Sequence, residues 1–375
     1  MPYIGGIEQY THDLAEALEK LGCNVIIVTS NTFDFEPKEE LSDHITIYRL
    51  PVFPVLNGRF PIPRKNQQYR ELMEDLAAID FDGILINTRF YFHTLNALDF
   101  AQSVGVTPLV MDHGSKHLTF GNDALDVFVK LHEHGITQRV KKAHPHFYGV
   151  SESSSQWLSH FGIESEGELS NAINPDFMSI SSGRDFRGEL GIPEDAFVVT
   201  FAGRLIPEKG IVPLVEAMEY LKDQEDIHFI IIGDGVLRPK VEAVTSKQVH
   251  YVGYQDRSNI VAALLQSDAF CLPTRSEGFC TSLLETAACG TTPIITRVGG
   301  VAELMPDSSY GIVLPDSEVA SIVAAIEFLR DNPEINAQMA QNIQKRTQAN
   351  FAWKNTAEDL LRAVEKAKNV ENKNA

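Results

Sequence analysis

Short β-rich apolar runs alternate with amphipathic helical stretches along this chain, and the alternation breaks once. Val25-Ile26-Ile27-Val28, Gly83-Ile84-Leu85-Ile86 and Pro108-Leu109-Val110-Met111 read as buried strands. Tyr10 to Leu21 reads as a helix with Leu14, Ala17, Leu18 and Leu21 on one face. The pattern resumes at Ala196 to Phe201, Ile227 to Ile232, Ala269 to Pro273 and Thr292 to Thr296. Strand–helix alternation of this kind dictates parallel sheets covered by helices on both faces, an α/β, doubly wound architecture. The interruption lies at about residues 171–195, where Asn171-Ala172-Ile173-Asn174-Pro175 is turn-rich and Ser179 to Gly183 is small and polar. Two domains are therefore expected, 1–175 and 176–352, a division that suits a chain of 375 residues. Helical patterns from Val319 to Asn350 and from Asn355 to Lys368 close the chain, and the tail from Asn369 is expected to fray.

The front of the chain departs from the pattern. A doubly wound domain normally opens with a strand that feeds a glycine turn and a helix. Here Gly5-Gly6 and the helix are present, but only four residues precede them, fewer than the usual five or six of a strand. Either the true start lies upstream or the first strand is lacking; the first is the expectation.

Composition narrows the function. A net charge of −19 argues against nucleic acid and against a uniformly membrane-seeking surface. No apolar run reaches the length of a membrane-spanning helix, and no secretory leader is visible. Cys23, Cys271, Cys280 and Cys289 lack zinc-type spacing and read as reduced thiols of a cytoplasmic protein. His132-Glu133-His134 and His144-Pro145-His146 look metal-like, but i, i+2 pairs on a helix point apart, so no metal site is expected.

Several loops follow strands, where open α/β sheets bind ligands. Gly5-Gly6-Ile7-Glu8 opens a helix, and close backbone approach plus free N–H groups would suit an anion; a plain tight turn would use the same residues. Gly203-Arg204-Leu205-Ile206-Pro207-Glu208-Lys209-Gly210 places two cations after the first strand of the second domain, as a diphosphate requires. Gly233-Asp234-Gly235 ends another buried strand and could be an ordinary turn. The stretch from Ser276 to Glu285 is the most informative: Glu277 lies on a loop and Glu285 lies two turns into the following helix, among Leu283, Leu284, Ala287 and Ala288. A carboxylate among such neighbours requires hydrogen-bond donors, which sugar or ribose hydroxyls would supply. The start of that helix, near Gly278, Phe279, Cys280 and Thr281, offers backbone N–H groups to phosphate. His113, in Met111-Asp112-His113-Gly114, closes a strand of the first domain, with His117 as a competing candidate; a structural histidine is the plain alternative.

Taken together and in order, these segments resemble the retaining nucleotide-sugar glycosyltransferases of family 4, over nearly the whole chain. The most diagnostic match is Glu277 and Glu285, separated by seven residues. Gly149-Val150-Ser151-Glu152, the Asn171 to Asn174 link and Phe351-Ala352-Trp353 also match. The resemblance implies a GT-B fold, two Rossmann-like domains facing a central cleft, with the final helix, 353–370, returning to the first domain. It implies that Arg204 and Lys209 hold the donor diphosphate, Glu277 the donor sugar and Glu285 the ribose. Gly6 would let its loop reach the donor phosphate, His113 would lie near the transferred sugar, and Gly253 and Tyr254 would lie near the nucleobase. Catalytic roles would fall to His113, Arg204, Lys209 and Glu277. It implies no cofactor and no metal, a nucleotide sugar as donor, and a glycan or lipid-linked acceptor in cell-surface polysaccharide or glycolipid synthesis. Departures are Cys280, where the family often has Gly or Pro, and Ala172 and Asn174 in the link. The alternatives are a nucleotide-sugar epimerase and an inactive GT-B partner subunit. On the acceptor side, Arg59, Arg64, Lys65 and Arg70, interleaved with Phe60, Pro61 and Ile62, could meet a membrane surface or a lipid diphosphate, or form a solvated loop.

Overall fold

A computed structural model describes residues 6–55, 60–117 and 123–374, and side chains over the same residues except 123–125 and 370–374. The chain divides into two compact units. Unit 1 is Met1–Asn171 with Trp353–Ala375, and unit 2 is Ala172–Ala352. The boundary thus falls at residues 171 and 172, four residues before the sequence reading placed it.

Unit 1 begins with α1 (Gly6–Lys20), β1 (Val25–Asn31), β2 (Lys38–Glu40), β3 (Ile45–Val55), β4 (Phe60–Pro63) and α2 (Gln67–Ala77). It continues with β5 (Leu85–Asn87), α3 (Phe92–Ser103), β6 (Leu109–Asp112), α4 (Asp123–Lys141), β7 (His146–Gly149) and α5 (Glu152–Leu158). Strands β5, β6 and β7 form one parallel sheet, and β1 pairs in parallel with β3 in another. Side-chain caps set the helix starts: Asn66 accepts from the Tyr69 amide and Ser151 from the Ser154 amide. Two features differ from the sequence reading. Among the described residues, strand β1 lies at a sheet edge, and Val28 is exposed rather than buried. The expected loop around Phe60 is instead a strand, β4, which pairs antiparallel with β3. Phe60 faces inward, its ring 5.0 Å from His132, while the Arg64 guanidinium lies over Phe53.

Unit 2 carries α6 (Phe186–Leu190), β8 (Phe197–Ala202), α7 (Ile211–Leu221), β9 (Ile227–Ile232), α8 (Arg238–Glu242), β10 (Val249–Gly253) and α9 (Arg257–Leu264). It ends with β11 (Ala269–Leu272), α10 (Thr281–Ala288), β12 (Thr292–Thr296), α11 (Val301–Leu304), β13 (Ile312–Leu314), α12 (Val319–Asp331) and α13 (Pro333–Asn350). Its six strands are all parallel, in the order β10-β9-β8-β11-β12-β13. Strands β9, β11 and β12 are buried throughout, as continuous apolar runs covered on both faces must be. The helix expected from Val319 to Asn350 is two helices, because Pro333 lacks the amide needed to continue the first.

The last helix, α14 (Trp353–Asn374), belongs to unit 1. Trp353, Ala357, Leu360, Ala363 and Ala367 form its buried stripe, and Trp353 meets the Tyr10 ring of α1 at 5.1 Å. The helix runs to Asn374, past the point where the sequence suggested fraying.

Candidate functional site

The strand order of unit 2 reverses direction between β8 and β11. In open α/β sheets the crevice outside the carboxyl ends of two such strands is where ligands bind. The loops after β8 and β11 are the two that carried most of the sequence signal, and the topology brings them together.

Lys209 ends the β8 loop, and its Nζ lies 2.6 Å from Glu277 Oε1 of the β11 loop. Both side chains are largely buried. Thr274 Oγ1 is 3.0 Å from the same carboxylate oxygen and 3.0 Å from the Glu208 carbonyl, so it ties the two loops a second time. Arg204, earlier in the β8 loop, is exposed. The sequence reading gave Lys209 and Glu277 separate ligand duties. Here they hold each other, which keeps a cation and an anion pre-positioned in a partly desolvated place.

The close approach of these loops depends on glycine. Gly233, after β9, has φ +134° and lies against the Gly203 carbonyl; a Cβ there would sit 1.9 Å from that oxygen. Gly210, with φ +73°, would place a Cβ 2.1 Å from the Pro273 carbonyl. The Gly233 amide donates to the Gly253 carbonyl at 2.8 Å, so the β10 loop joins the same group. Tyr254 beyond it is exposed.

Glu285 lies on α10 with little exposure, as expected, but its oxygen is 2.8 Å from Arg257 Nε at the start of α9. The guanidinium of Arg257 stacks over the Phe177 ring. Sequence reasoning assigned the partner of Glu285 to a ligand and missed Arg257, which is 28 residues away with no local signal of the pairing. It also missed Gly299 and Gly300, which back the Glu277 loop; a Cβ on Gly300 would meet the Phe279 ring. Phe279 and Cys280 are buried, and Thr281 opens α10. Burial pushes the Cys280 thiol up to about 12, so it packs as a neutral group.

In unit 1, His113 follows β6. Its Nε2 is 2.8 Å from Asn87 Oδ1, and the Asn87 amide nitrogen lies 3.1 Å from Thr11 Oγ1. That amide orientation makes Nε2 the donor and leaves Nδ1 with the lone pair. Tyr10 packs edge-on at 5.0 Å. Burial lowers the His113 pKa to about 3, so the imidazole is neutral near pH 7. Gly5 and Arg59 lie outside the described residues. Gly6 opens α1, exposed, and a Cβ added there meets nothing among the described residues.

Two family models match the chain. Residues 4–167 match Glycosyltransferase Family 4, and residues 183–346 match Glycosyl transferases group 1. The chain belongs to the family-4-type glycosyltransferases. Relatives of this glycosyltransferase span almost all of it. An uncharacterized glycosyltransferase of Methanocaldococcus jannaschii is 23% identical over 98% of this chain and 97% of its own. A human relative, named for phosphatidylinositol N-acetylglucosaminyltransferase, is 25% identical over 95% of this chain and 72% of its own. The putative teichuronic acid biosynthesis glycosyltransferase TuaC of Bacillus subtilis is 25% identical over 88% and 87%. Among solved structures, sucrose-phosphate synthase from Thermosynechococcus elongatus superposes with a TM-score of 0.74 at 20% identity, covering 98% of this chain and 94% of its own. Anabaena HepE, in complex with UDP and glucose, gives 0.69 at 16% identity over 96% of both chains. The fold is GT-B, with two Rossmann-like domains.

Proposed function

We propose that this glycosyltransferase moves a sugar from a nucleotide-diphosphate sugar to a glycan or lipid-linked acceptor, with retention of anomeric configuration. The reading rests on one observation, the Lys209–Glu277 pair at the strand-order reversal of unit 2. A donor of this class carries a diphosphate, which Arg204 and Lys209 attract, and sugar hydroxyls, which the Glu277 carboxylate accepts. Lys209 then stabilises the charge that builds on the leaving diphosphate, and the first turn of α10 adds backbone dipoles of the same sign. Glu285, oriented by Arg257, receives the ribose hydroxyls. Two cations and a helix start neutralise the diphosphate in this scheme, so the transfer step itself calls for no metal. The crystallised Anabaena relative holds UDP and glucose, which supports a nucleotide-sugar donor here. The names of the human and Bacillus relatives support a lipid-linked or cell-surface acceptor.

Lys209→Ala tests the reading. Transfer should fall at least tenfold, about 1.4 kcal/mol of transition-state stabilisation, with the circular-dichroism spectrum and melting temperature of a folded protein. Unchanged turnover in a folded variant would refute the role.

A further inference from the structure

A cluster in unit 1 has no part in donor binding as proposed above. His117 follows β6, His134 lies on α4, and His160 lies on the short turn Ser159–Phe161 after α5. Their rings stand 5.2–5.4 Å apart, centre to centre. One ring nitrogen from each lies within 4.8 Å of the other two. We propose that His117, His134 and His160 form a three-imidazole site for a divalent transition-metal ion of the zinc class.

Three features carry the proposal. The first is reach. The centre of a triangle with 4.8 Å edges lies about 2.8 Å from its corners, so each ring needs to move by roughly 0.7 Å to make zinc–nitrogen bonds of 2.0–2.1 Å. The second is orientation. His117 Nδ1 is 2.6 Å from Glu133 Oε2, so that nitrogen carries the proton and Nε2 presents its lone pair to the cluster. A carboxylate behind a ligating imidazole is the usual outer-sphere arrangement of a metal histidine. Glu133 is itself fixed, because its other oxygen is 2.6 Å from the fully buried Arg89, which also reaches Asp112 at 2.9 Å. The third is charge: two carboxylates face one guanidinium behind the three imidazoles, an excess of one negative charge that favours a cation. An all-imidazole donor set selects zinc, copper, nickel or cobalt over magnesium or calcium.

The pointing-apart argument holds for the pair in α4: His132 turns to the Phe90 carbonyl and the Phe60 ring, away from His134. It left His134 available to partners that are distant in sequence. A bound ion would tie the segment after β6, which starts at His113, to α4 and to the turn after α5.

The experiment uses the full chain, stripped with a chelator and desalted, then titrated with zinc chloride by calorimetry. One saturable ion per chain is expected. His134→Ala and His160→Ala should each weaken it by at least roughly 10-fold, the least that even an outer-sphere partner is worth. His160 sits on an exposed turn, so its variant keeps the fold, and circular dichroism of both zinc-free variants verifies this. Cobalt in place of zinc should give a visible d–d band that both variants lose. No saturable zinc in the unmodified chain, or unchanged affinity in both variants, overturns the proposal.

Discussion

His113 shows how far a residue's surroundings decide what it can do. The imidazole donates to Asn87, packs on Tyr10 and stays neutral because burial penalises its charged form. It is therefore suited to hydrogen-bond a sugar and unsuited to carry charge at neutral pH. The same burial makes stability depend on pH. The unfolded chain protonates this histidine near pH 6.5 while the folded chain refuses the proton until about pH 3, so folding weakens as pH falls through that window. Its neighbour Asp112 acts in the opposite sense. Burial raises its pKa to about 6 despite Arg89, so the folded chain takes up a proton there before the unfolded chain does. Comparison with His113→Gln isolates the histidine. Between pH 7 and pH 5 the unmodified protein should lose about 2 kcal/mol more stability than the variant, measured by urea unfolding at both pH values. Parallel losses would contradict a neutral, buried His113.

Single elements decide how the donor loops meet. The turn after β9 passes so close to the Gly203 carbonyl, with φ +134°, that no side chain fits. Gly233→Ala should destabilise unit 2 by about 3 kcal/mol or more, read as a lower denaturant midpoint; a midpoint equal to the parent's would contradict the packing. Strands such as Ile227–Ile232 were legible in the sequence because a strand covered on both faces must be apolar at every position. The loops that follow them were legible as ligand-facing, since their glycines and charges sit at strand ends. Three things were not. The β3–β4 hairpin has exposed and buried residues mixed by a sheet edge, so its pattern reads as loop. The partner of Glu285 and the histidine triangle depend on contacts 16 or more residues apart, which no local spacing encodes. The break at Pro333 was readable from the residue alone, and the longer helical periodicity on either side hid it.

At the scale of the molecule, two α/β series and a returning helix account for the chain, and the family models divide it along the same line. The net charge of −19 repels a diphosphate at long range, so the local cations of the β8 loop must act at short range. That is where Lys209 is held by Glu277. The central claim is that this constellation handles a nucleotide-diphosphate sugar for transfer. The direct measurement is to incubate the purified chain with a panel of nucleotide sugars, with and without glycan and lipid-linked acceptors, and to follow release of the nucleoside diphosphate and the fate of the sugar. The account predicts release from a preferred donor only when an acceptor is present, with the sugar recovered on that acceptor in its original anomeric configuration. A sugar changed without any acceptor, or no release from any donor with any acceptor, would contradict it.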